Sequence, residues 1–250
     1  MKKIGLIGGT SPKSTVDYYV KINDFVNASM GNFHSAKILM VSVDFEEIVD
    51  AIFSNRWDVV FQIMKEAALT LQNAGADTIA LCSNTLHKVY PELRSCLDIS
   101  ILHILDPVIE VIKKEKMDKI AILGTTYTMA GDFYPSYFKK HCSTNINLVI
   151  PTDIERKIVN DFIFNSLCKG RWTEKNITDI LRIIDRLIKA EQPDSIMLGC
   201  TELSYFFEKI GIPYKLIDTT DLHSRALANF ICKDFNKPVM ELASNLSLEK

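Results

Sequence analysis

The chain has 250 residues, 47% of them hydrophobic, and a formal net charge of -2 at pH 7. This length is enough for one large or two small domains with a buried core. The near-neutral charge argues against nucleic acid as a partner, since phosphate binding requires a basic face. The longest apolar runs are far too short to span a bilayer, so we expect no membrane association.

The amino terminus and the cysteines together indicate a cellular compartment. Two lysines precede the first apolar run, but the apolar segment and small-residue cleavage site of a signal peptide are missing. The six cysteines show no CxxC spacing. Free thiols are typical of a reducing environment, so we expect a cytoplasmic protein without disulfides or a zinc site.

Short runs rich in Ile, Leu and Val alternate with amphipathic stretches along the chain. Runs of this length are typical of strands buried on both faces of a parallel sheet. The predicted strands cover residues 3–8, 37–43, 77–82, 100–104, 118–124, 146–150, 194–199 and 214–217. The predicted helices cover residues 14–29, 56–74, 85–95, 106–115, 153–168, 173–190, 201–209 and 219–233. This alternation predicts an α/β fold with right-handed crossovers.

Two sequence stretches are each repeated once along the chain, with nearly the same offset. KIGLIGGT at Lys3–Thr10 is repeated as KIAILGTT at Lys119–Thr126, an offset of 116. ADTIALCSNTL at Ala76–Leu86 is repeated as PDSIMLGCTEL at Pro193–Leu203, an offset of 117. The repeat divides this α/β pattern into two halves of four strands each, which predicts two mainly parallel four-stranded sheets flanked by helices.

The last predicted helix has no counterpart before the first half, so we expect it to cross back and pack there. On this basis the first domain comprises residues 1–104 plus 218–250, and the second comprises residues 105–217.

The second repeat places Ser83 opposite Cys200. One proton-handling group from each half would suit chemistry on both faces of a single carbon. Cys200 is the stronger candidate, because it ends a predicted strand and the following helix N-terminus is expected to lower the pKa of its thiol. A thiolate can act as a base or a nucleophile. Strand alternation directs Cys82 into the core. The other cysteines are expected to be buried and inert: Cys96, Cys142, Cys168 and Cys232.

Four turns in equivalent places follow buried strands and open helices. They are Gly8–Ser14, Cys82–His87, Gly124–Thr128 and Gly199–Leu203. Ligands of open α/β sheets bind at the carboxyl ends of strands, where helix N-termini offer unpaired N–H groups. The turns are rich in Gly, Ser, Thr and Asn and poor in Lys and Arg, which predicts a site for a small anion. Any one of these hydroxyls could equally be a helix cap.

Other motifs are interpreted as structural. GLIGGTS lacks the spacing of the dinucleotide fingerprint, so no nucleotide cofactor is expected. His87 and His223 are interpreted as capped or solvated residues, and the two tyrosines at 18 and 19 as core residues. Four acidic residues after the second strand are interpreted as a solvated loop face: Asp44, Glu46, Glu47 and Asp50.

At these segments the chain resembles the aspartate/glutamate racemase family. The matching stretches are GLIGGTSPKST (5–15) with YY (18–19) and IN (22–23), LCSNTLHK (81–88), LGTTYTM (123–129) and LGCTEL (198–203). LCSNTLHK and HSAKILMVSVDF (34–45) look closest to the branch with broad amino-acid specificity.

The resemblance implies an active site in the cleft between two pseudo-symmetric domains, with an amino acid as substrate and neither pyridoxal phosphate nor a metal. Two residues on opposite sides of the amino acid remove and return the Cα proton. Both are cysteines in most members, and the matching positions here are Ser83 and Cys200. The resemblance also implies a homodimer. The resemblance further implies that six residues hold the substrate carboxylates: Thr10, Ser11, Asn84, Thr85, Thr125 and Thr201.

Two departures from the family pattern bear on function. Serine is a far weaker acid than cysteine, and a hydroxyl delivers a proton more easily than it takes one. We therefore expect Cys200 to remove a proton from one enantiomer and Ser83, or a water that it positions, to reprotonate the other face. Aspartate-specific members place an arginine after the second strand, and Arg56 is not clearly the matching position, which puts acidic specificity in doubt.

Two alternatives remain open at this point. Decarboxylases of disubstituted malonates resemble these proteins and use a single cysteine in the second motif, as Cys200 would be. A binding protein that clamps an amino acid without turnover is the other alternative. Entry of solvent deuterium at Cα, with or without inversion, discriminates among the three.

Overall fold

The computed structural model of the protein describes residues 1–142 and 145–233. The strands of the first sheet are β1 (Lys3–Gly8), β2 (Lys37–Ser42), β3 (Thr78–Leu81) and β4 (Ser100–Ile101). Those of the second sheet are β5 (Lys119–Gly124), β6 (Asn147–Val149), β7 (Ser195–Gly199) and β8 (Leu216–Asp218). Both sheets are parallel, with the orders β2-β1-β3-β4 and β6-β5-β7-β8. The predicted fold class, two repeated four-stranded sheets flanked by helices, is confirmed.

The first half carries helices α1 (Pro12–Met30), α2 (Phe45–Phe53), α3 (Trp57–Asn73) and α4 (Tyr90–Ser95), with a 3₁₀ turn at Thr85–Val89. Then follow α5 (Asp106–Glu115), α6 (Thr126–Ala130), α7 (Phe133–His141), α8 (Asp153–Phe162), α9 (Glu174–Glu191), α10 (Thr201–Ile210) and α11 (Thr219–Cys232). A π turn at Ile163–Leu167 extends α8. Within the described residues, no helix combines the length and hydropathy needed to cross a membrane.

Helix α2 corrects the interpretation of residues 44–50 as a loop. Asp44 caps this helix, since its Oδ1 accepts hydrogen bonds from the backbone N–H of Glu46 at 2.8 Å and of Glu47 at 3.3 Å. The acidic side chains are exposed as expected, but Ile48 between them is buried, and Phe45 and Val49 are half-buried. Ile48 and Ile52 lie four residues apart and face the core, a helical spacing that the surrounding carboxylates obscure in the sequence.

Helix α11 returns to the first half and packs on it. Leu227 and Ile231 belong to the same buried cluster as Ile4 of β1 and Tyr18 of α1. A separate, larger core surrounds β5 and β7. The expected crossing-back of the last helix is therefore observed in its described part. The domain boundaries proposed above stay a prediction, and residues 234–250 lie outside the described part of the chain.

Two glycines permit close approaches at the carboxyl ends of the strands. Gly9 has a φ of 92°, and a Cβ there would lie 2.1 Å from the carbonyl oxygen of Val43. The turn after β1 therefore packs directly on the segment that enters α2. In the second sheet, a Cβ on Gly124 would lie 2.7 Å from the carbonyl oxygen of Gly199. The ends of β5 and β7 can meet only because both are bare backbone.

Candidate active site

The four predicted turns converge on one open cleft, whose volume is about 490 Å³ when the solvent at its mouth is included. Each contributes lining residues at the carboxyl end of its strand, as expected for ligand sites of parallel sheets. Seven of the eight predicted site residues line it: Thr10, Ser83, Asn84, Thr85, Thr125, Cys200 and Thr201. The eighth, Ser11, reaches the site through a hydrogen bond to another lining residue, Glu202.

Cys200 occupies the N-cap position of α10 and is only 6% exposed. Its Sγ donates a hydrogen bond to Oε2 of Glu202 at 3.1 Å. Burial, and then the negative charge of Glu202, raise the pKa of the Cys200 thiol well above its ordinary value. The expectation of a lowered pKa was therefore wrong, because these two effects outweigh the helix N-terminus. Cys200 is a protonated thiol at neutral pH.

Glu202 is the residue that the sequence interpretation missed. Its carboxylate accepts hydrogen bonds from Ser11 Oγ at 2.5 Å and Ser14 Oγ at 2.7 Å, both at the start of α1. It also accepts from Thr201 Oγ1 at 2.9 Å and from Cys200 Sγ. The carboxylate thus joins the two halves at the site. The sequence signal was the Glu of GCTEL, which reads equally well as an ordinary acidic residue in a first helical turn.

Two buried polar groups in the cleft lack partners. Asn84 is almost completely buried, and its Oδ1 accepts hydrogen bonds from Tyr134 Oη and, at 3.1 Å, from Thr219 Oγ1. Within the described residues, its Nδ2 makes no hydrogen bond, and neither does the buried Oγ1 of Thr10. Buried polar atoms are nearly always paired, so these two groups stand out as unsatisfied polar atoms beside the cleft.

Three threonine hydroxyls form a cluster between the two halves. Thr85 Oγ1 lies 2.9 Å from Thr125 Oγ1 and 3.1 Å from Thr128 Oγ1. Thr125 also caps α6, and Ser11 caps α1, so the capping interpretation holds for these two side chains. Thr85 and Thr125 line the cleft while their hydroxyls bond to each other.

Ser83 lies on the opposite half from Cys200 and is partly exposed to the cleft. Its hydroxyl has no hydrogen-bond partner among the residues that the structure describes. Its carbonyl oxygen accepts a hydrogen bond from Nδ1 of His87 at 2.8 Å. Because Nε2 of His87 accepts the N–H of Ile104 at 3.2 Å, the ring is neutral and carries its proton on Nδ1.

Of the two alternatives for His87 and His223, capped or solvated, the second was wrong, since both side chains are buried. His223 donates from Nε2 to the carbonyl of Leu102 at 3.0 Å and accepts at Nδ1 from Tyr18 Oη at 2.9 Å. Burial lowers the pKa of His87 to about 4 and that of His223 to about 3. Both rings are structural and neutral. Tyr18 is a core residue as expected, whereas Tyr19 is exposed.

A second thiol lines the cleft. Cys168, at the end of the π turn, is half-buried there and not buried as expected, while its expected inertness stays a prediction. Burial, and then the charge of Glu202, raise the pKa of its thiol. Cys82 lies in the core with Ile4 and Ala80, which confirms its predicted inward direction. Within residues 1–142 and 145–233, no group of three potential metal ligands is present.

Apart from Leu86 and Gly199, the remaining lining residues come from two apolar segments, which we call the apolar wall. It consists of Phe45, Ile48, Val49 and Ile52 of α2 with Ile163 and Phe164 of the π turn. Arg56 lies away from the cleft lining, at the exposed start of α3, where it pairs with Asp58 at 3.7 Å.

Two parallel sheets in this arrangement, with an Asn-Thr turn and a Cys-Thr-Glu turn facing one cleft, define a family. The sequence profile of the Asp/Glu/hydantoin racemases matches residues 7–227, and the chain belongs to that family. The resemblance inferred from the motifs is thereby confirmed.

Individual relatives agree with this assignment. The broad-specificity amino-acid racemase RacX of Bacillus subtilis strain 168 is 25% identical over 220 residues, covering 87% of this chain and 92% of that protein. A candidate Asp/Glu racemase from Yersinia pestis has a structure that matches with a TM-score of 0.82 and 38% identity, over 92% of this chain and 99% of that one. An aspartate racemase homologue from Pyrococcus horikoshii OT3 matches with a TM-score of 0.77 and 31% identity, over the same shares.

Proposed function

We propose that the protein is a cofactor-independent amino-acid racemase in which Cys200 removes the Cα proton and the Ser83 side of the cleft returns one. The observation that carries the proposal is the pairing of Ser83 and Cys200 on one cleft from equivalent turns of the two halves. The unpaired Asn84 Nδ2 and Thr10 Oγ1 support it, because they offer partners for a substrate carboxylate. The name of the Bacillus relative also supports it.

Glu202 provides a proton acceptor for the protonated thiol of Cys200. In the proposed first step, the Sγ proton moves to Oε2 of Glu202 along the existing hydrogen bond, which leaves a thiolate. The thiolate then takes the Cα proton, and the electron pair of the C–H bond remains on the substrate as a carbanion. Hydrogen bonds to the substrate carboxylate stabilise the charge that develops on its oxygens.

The return of a proton differs on the opposite face. The Ser83 hydroxyl, or a water that it positions, donates to Cα. Solvent restores the donated proton, and Glu202 releases the proton that it took from Cys200 to solvent. Ser83 has no carboxylate beside it, so the reverse abstraction by Ser83 is the weaker reaction. The proposed enzyme therefore works faster in the direction in which Cys200 is the base.

The proposal is tested by incubating the protein with single enantiomers in deuterated water, with NMR for exchange at Cα and chiral chromatography for inversion. Exchange with inversion is the expected result. Exchange without inversion would leave one working base and contradict the role of the Ser83 side. Absence of exchange with every amino acid would overturn the proposal and favour a binding protein. Release of carbon dioxide from a disubstituted malonate would favour a decarboxylase.

Independence from pyridoxal phosphate and metals is part of the proposal. Activity is expected to survive dialysis against a chelator and treatment with hydroxylamine, and to be lost on thiol alkylation. Inactivation by chelation or hydroxylamine, with alkylation harmless, would contradict it. We also propose that the protein acts in the cytoplasm.

A homodimer is the proposed assembly. Helix α1 exposes Val16, Tyr19 and Val20, which share one face of the helix at spacings of three and four residues. A second copy of the chain would cover this apolar face. Sedimentation equilibrium should give a dimer for the parent and a monomer for Tyr19→Glu with Val20→Glu; a monomeric parent would contradict the proposal.

A further inference from the structure

We infer that the side-chain subsite of this cleft takes an uncharged aliphatic amino acid in preference to an acidic one. The inference rests on the proposed function and adds the class of substrate. It is carried by the apolar wall of the cleft.

The apolar wall is a continuous helix face rather than a scatter of residues. The four residues that α2 contributes follow the spacing i, i+3, i+4 and i+7: Phe45, Ile48, Val49 and Ile52. Residues at this spacing form one stripe along a helix. Ile163 and Phe164 of the π turn belong to the other half of the protein and complete the wall.

Contacts between the halves hold the wall in place. Tyr127 Oη donates a hydrogen bond to the carbonyl oxygen of Ile52 at 3.0 Å. The rings of Phe53 and Phe164 meet edge to face, with centroids 5.1 Å apart. Ile48 and Ile52 are also buried in the core of the first half. The wall is therefore formed before the substrate binds, and it is not a loop that a polar substrate could displace cheaply.

Charge favours the same conclusion. The side-chain carboxylate of aspartate or glutamate would lose its bound water against the apolar wall. A cationic side chain would find Glu202 already bonded to Ser11, Ser14, Thr201 and Cys200, beside the thiol rather than at the wall. An aliphatic side chain has no charge to desolvate and gains contact area at the wall.

The deciding experiment compares kcat/KM for solvent deuterium exchange across leucine, methionine, aspartate, glutamate and lysine, each as both enantiomers. We expect leucine or methionine to exceed the acidic amino acids by about 10- to 100-fold, the range of discrimination that a hydrophobic pocket provides. A preference for aspartate, glutamate or lysine would overturn the inference while leaving the racemase proposal intact.

A matched pair of variants places the effect on the wall. Val49→Arg adds one positive charge to the wall, and Asp50→Asn makes the same change in net charge at the exposed neighbouring position. Val49→Arg should shift the ratio of aspartate to leucine kcat/KM upward by at least about tenfold, whereas Asp50→Asn should leave it unchanged. Equal ratios in the two variants would contradict the assignment, and Val49→Lys repeats the test if the arginine prevents folding.

Failure of the proposed function gives a different pattern. If the folded protein exchanges no amino acid, the racemase proposal fails, and ligand-induced shifts of the melting temperature then report the subsite directly. A larger shift with leucine than with aspartate at equal concentration supports the apolar subsite. The opposite order overturns it.

Discussion

The turn after β3 and the turn after β7 occupy equivalent places in the two halves, yet their proton-handling groups differ in burial and in hydrogen bonding. Cys200 is buried and donates a hydrogen bond to Glu202, whereas Ser83 is partly exposed and its hydroxyl is unpartnered in the described structure. The offset of 117 places Thr85 opposite Glu202. The duplicated fold thus keeps both backbone positions and supplies a carboxylate at only one of them.

Removal of the Cys200 thiol should have the largest effect on the reaction. Cys200→Ser should lower Cα exchange by at least about 100-fold, since a positioned acid–base group contributes roughly that much and serine is a far weaker acid. NMR in deuterated water measures the rate. Cys168→Ser, at the other thiol in the cleft, is the matched control and should retain exchange. More than a few per cent of parent activity in Cys200→Ser would refute the role of Cys200.

Removal of the carboxylate tests why the two turns differ. Glu202→Gln should lower kcat by about 100-fold with a smaller effect on KM, because the thiol loses its proton acceptor. The charge of Glu202 raises the pKa of Cys200, so its removal lowers that pKa, and the residual rate should rise at a lower pH than in the parent. Ser14→Ala is the control, as it removes a hydrogen bond to Glu202 but keeps the charge. An unchanged pH profile would leave Glu202 with a structural role only.

Substitution of Ser83 tests the proton donor on the other face of the substrate. Ser83→Cys should raise the slower direction by about tenfold and bring the two directions together, since both faces then carry thiols. Ser83→Ala should reduce inversion more than exchange on the face that Cys200 serves. Chiral chromatography and NMR separate the two quantities. If Ser83→Ala inverts substrate as well as the parent in both directions, Ser83 is only a structural residue.

The smallest expected effect concerns stability in acid. His87 lies beneath the Ser83 turn, where the second half has Ser204. Its pKa is lowered from 6.5 to about 4, so the unfolded chain binds a proton in this range and the folded chain does not. The free energy of unfolding should therefore fall as pH decreases from 6.5 to 4, by about 1.4 kcal/mol per pH unit at most for this group. Urea unfolding at four pH values measures the slope, which should become shallower in His87→Asn; an equal slope would contradict the assignment.

The sequence was sufficient for features that topology determines. Residues at the carboxyl ends of parallel strands must meet at one edge, so the strand ends and the repeat were enough to predict Ser83, Asn84 and Cys200 at the cleft. The link between Ser11 and Glu202 spans 191 positions and depends on how the halves dock, which no local pattern reports. The pKa of Cys200 was misjudged for the same reason, because burial is a property of the packed protein.

Helix α2 was missed on other grounds. It has nine residues, and three of them are acidic, so its apolar face is short and its composition favours a surface loop. The segment is helical because Asp44 caps it and because Ile48 and Ile52 pack in the core of the first half. Tertiary contacts of this kind outweigh local preference in short elements. This helix carries most of the apolar wall, so the part of the site that bears on substrate choice was the part least visible in the sequence.

The hydrogen bonds of Glu202 to Ser11 and Ser14 also hold the two halves of the protein together. The half-buried wall residues Phe45 and Val49 take no part in those bonds. Descendants of this chain could therefore exchange Phe45 or Val49 and acquire new substrates while these two bonds persist, whereas a change at Glu202 would affect chemistry and cohesion together. The reaction would then be the conserved trait of a lineage, and the choice of amino acid the trait that diverges.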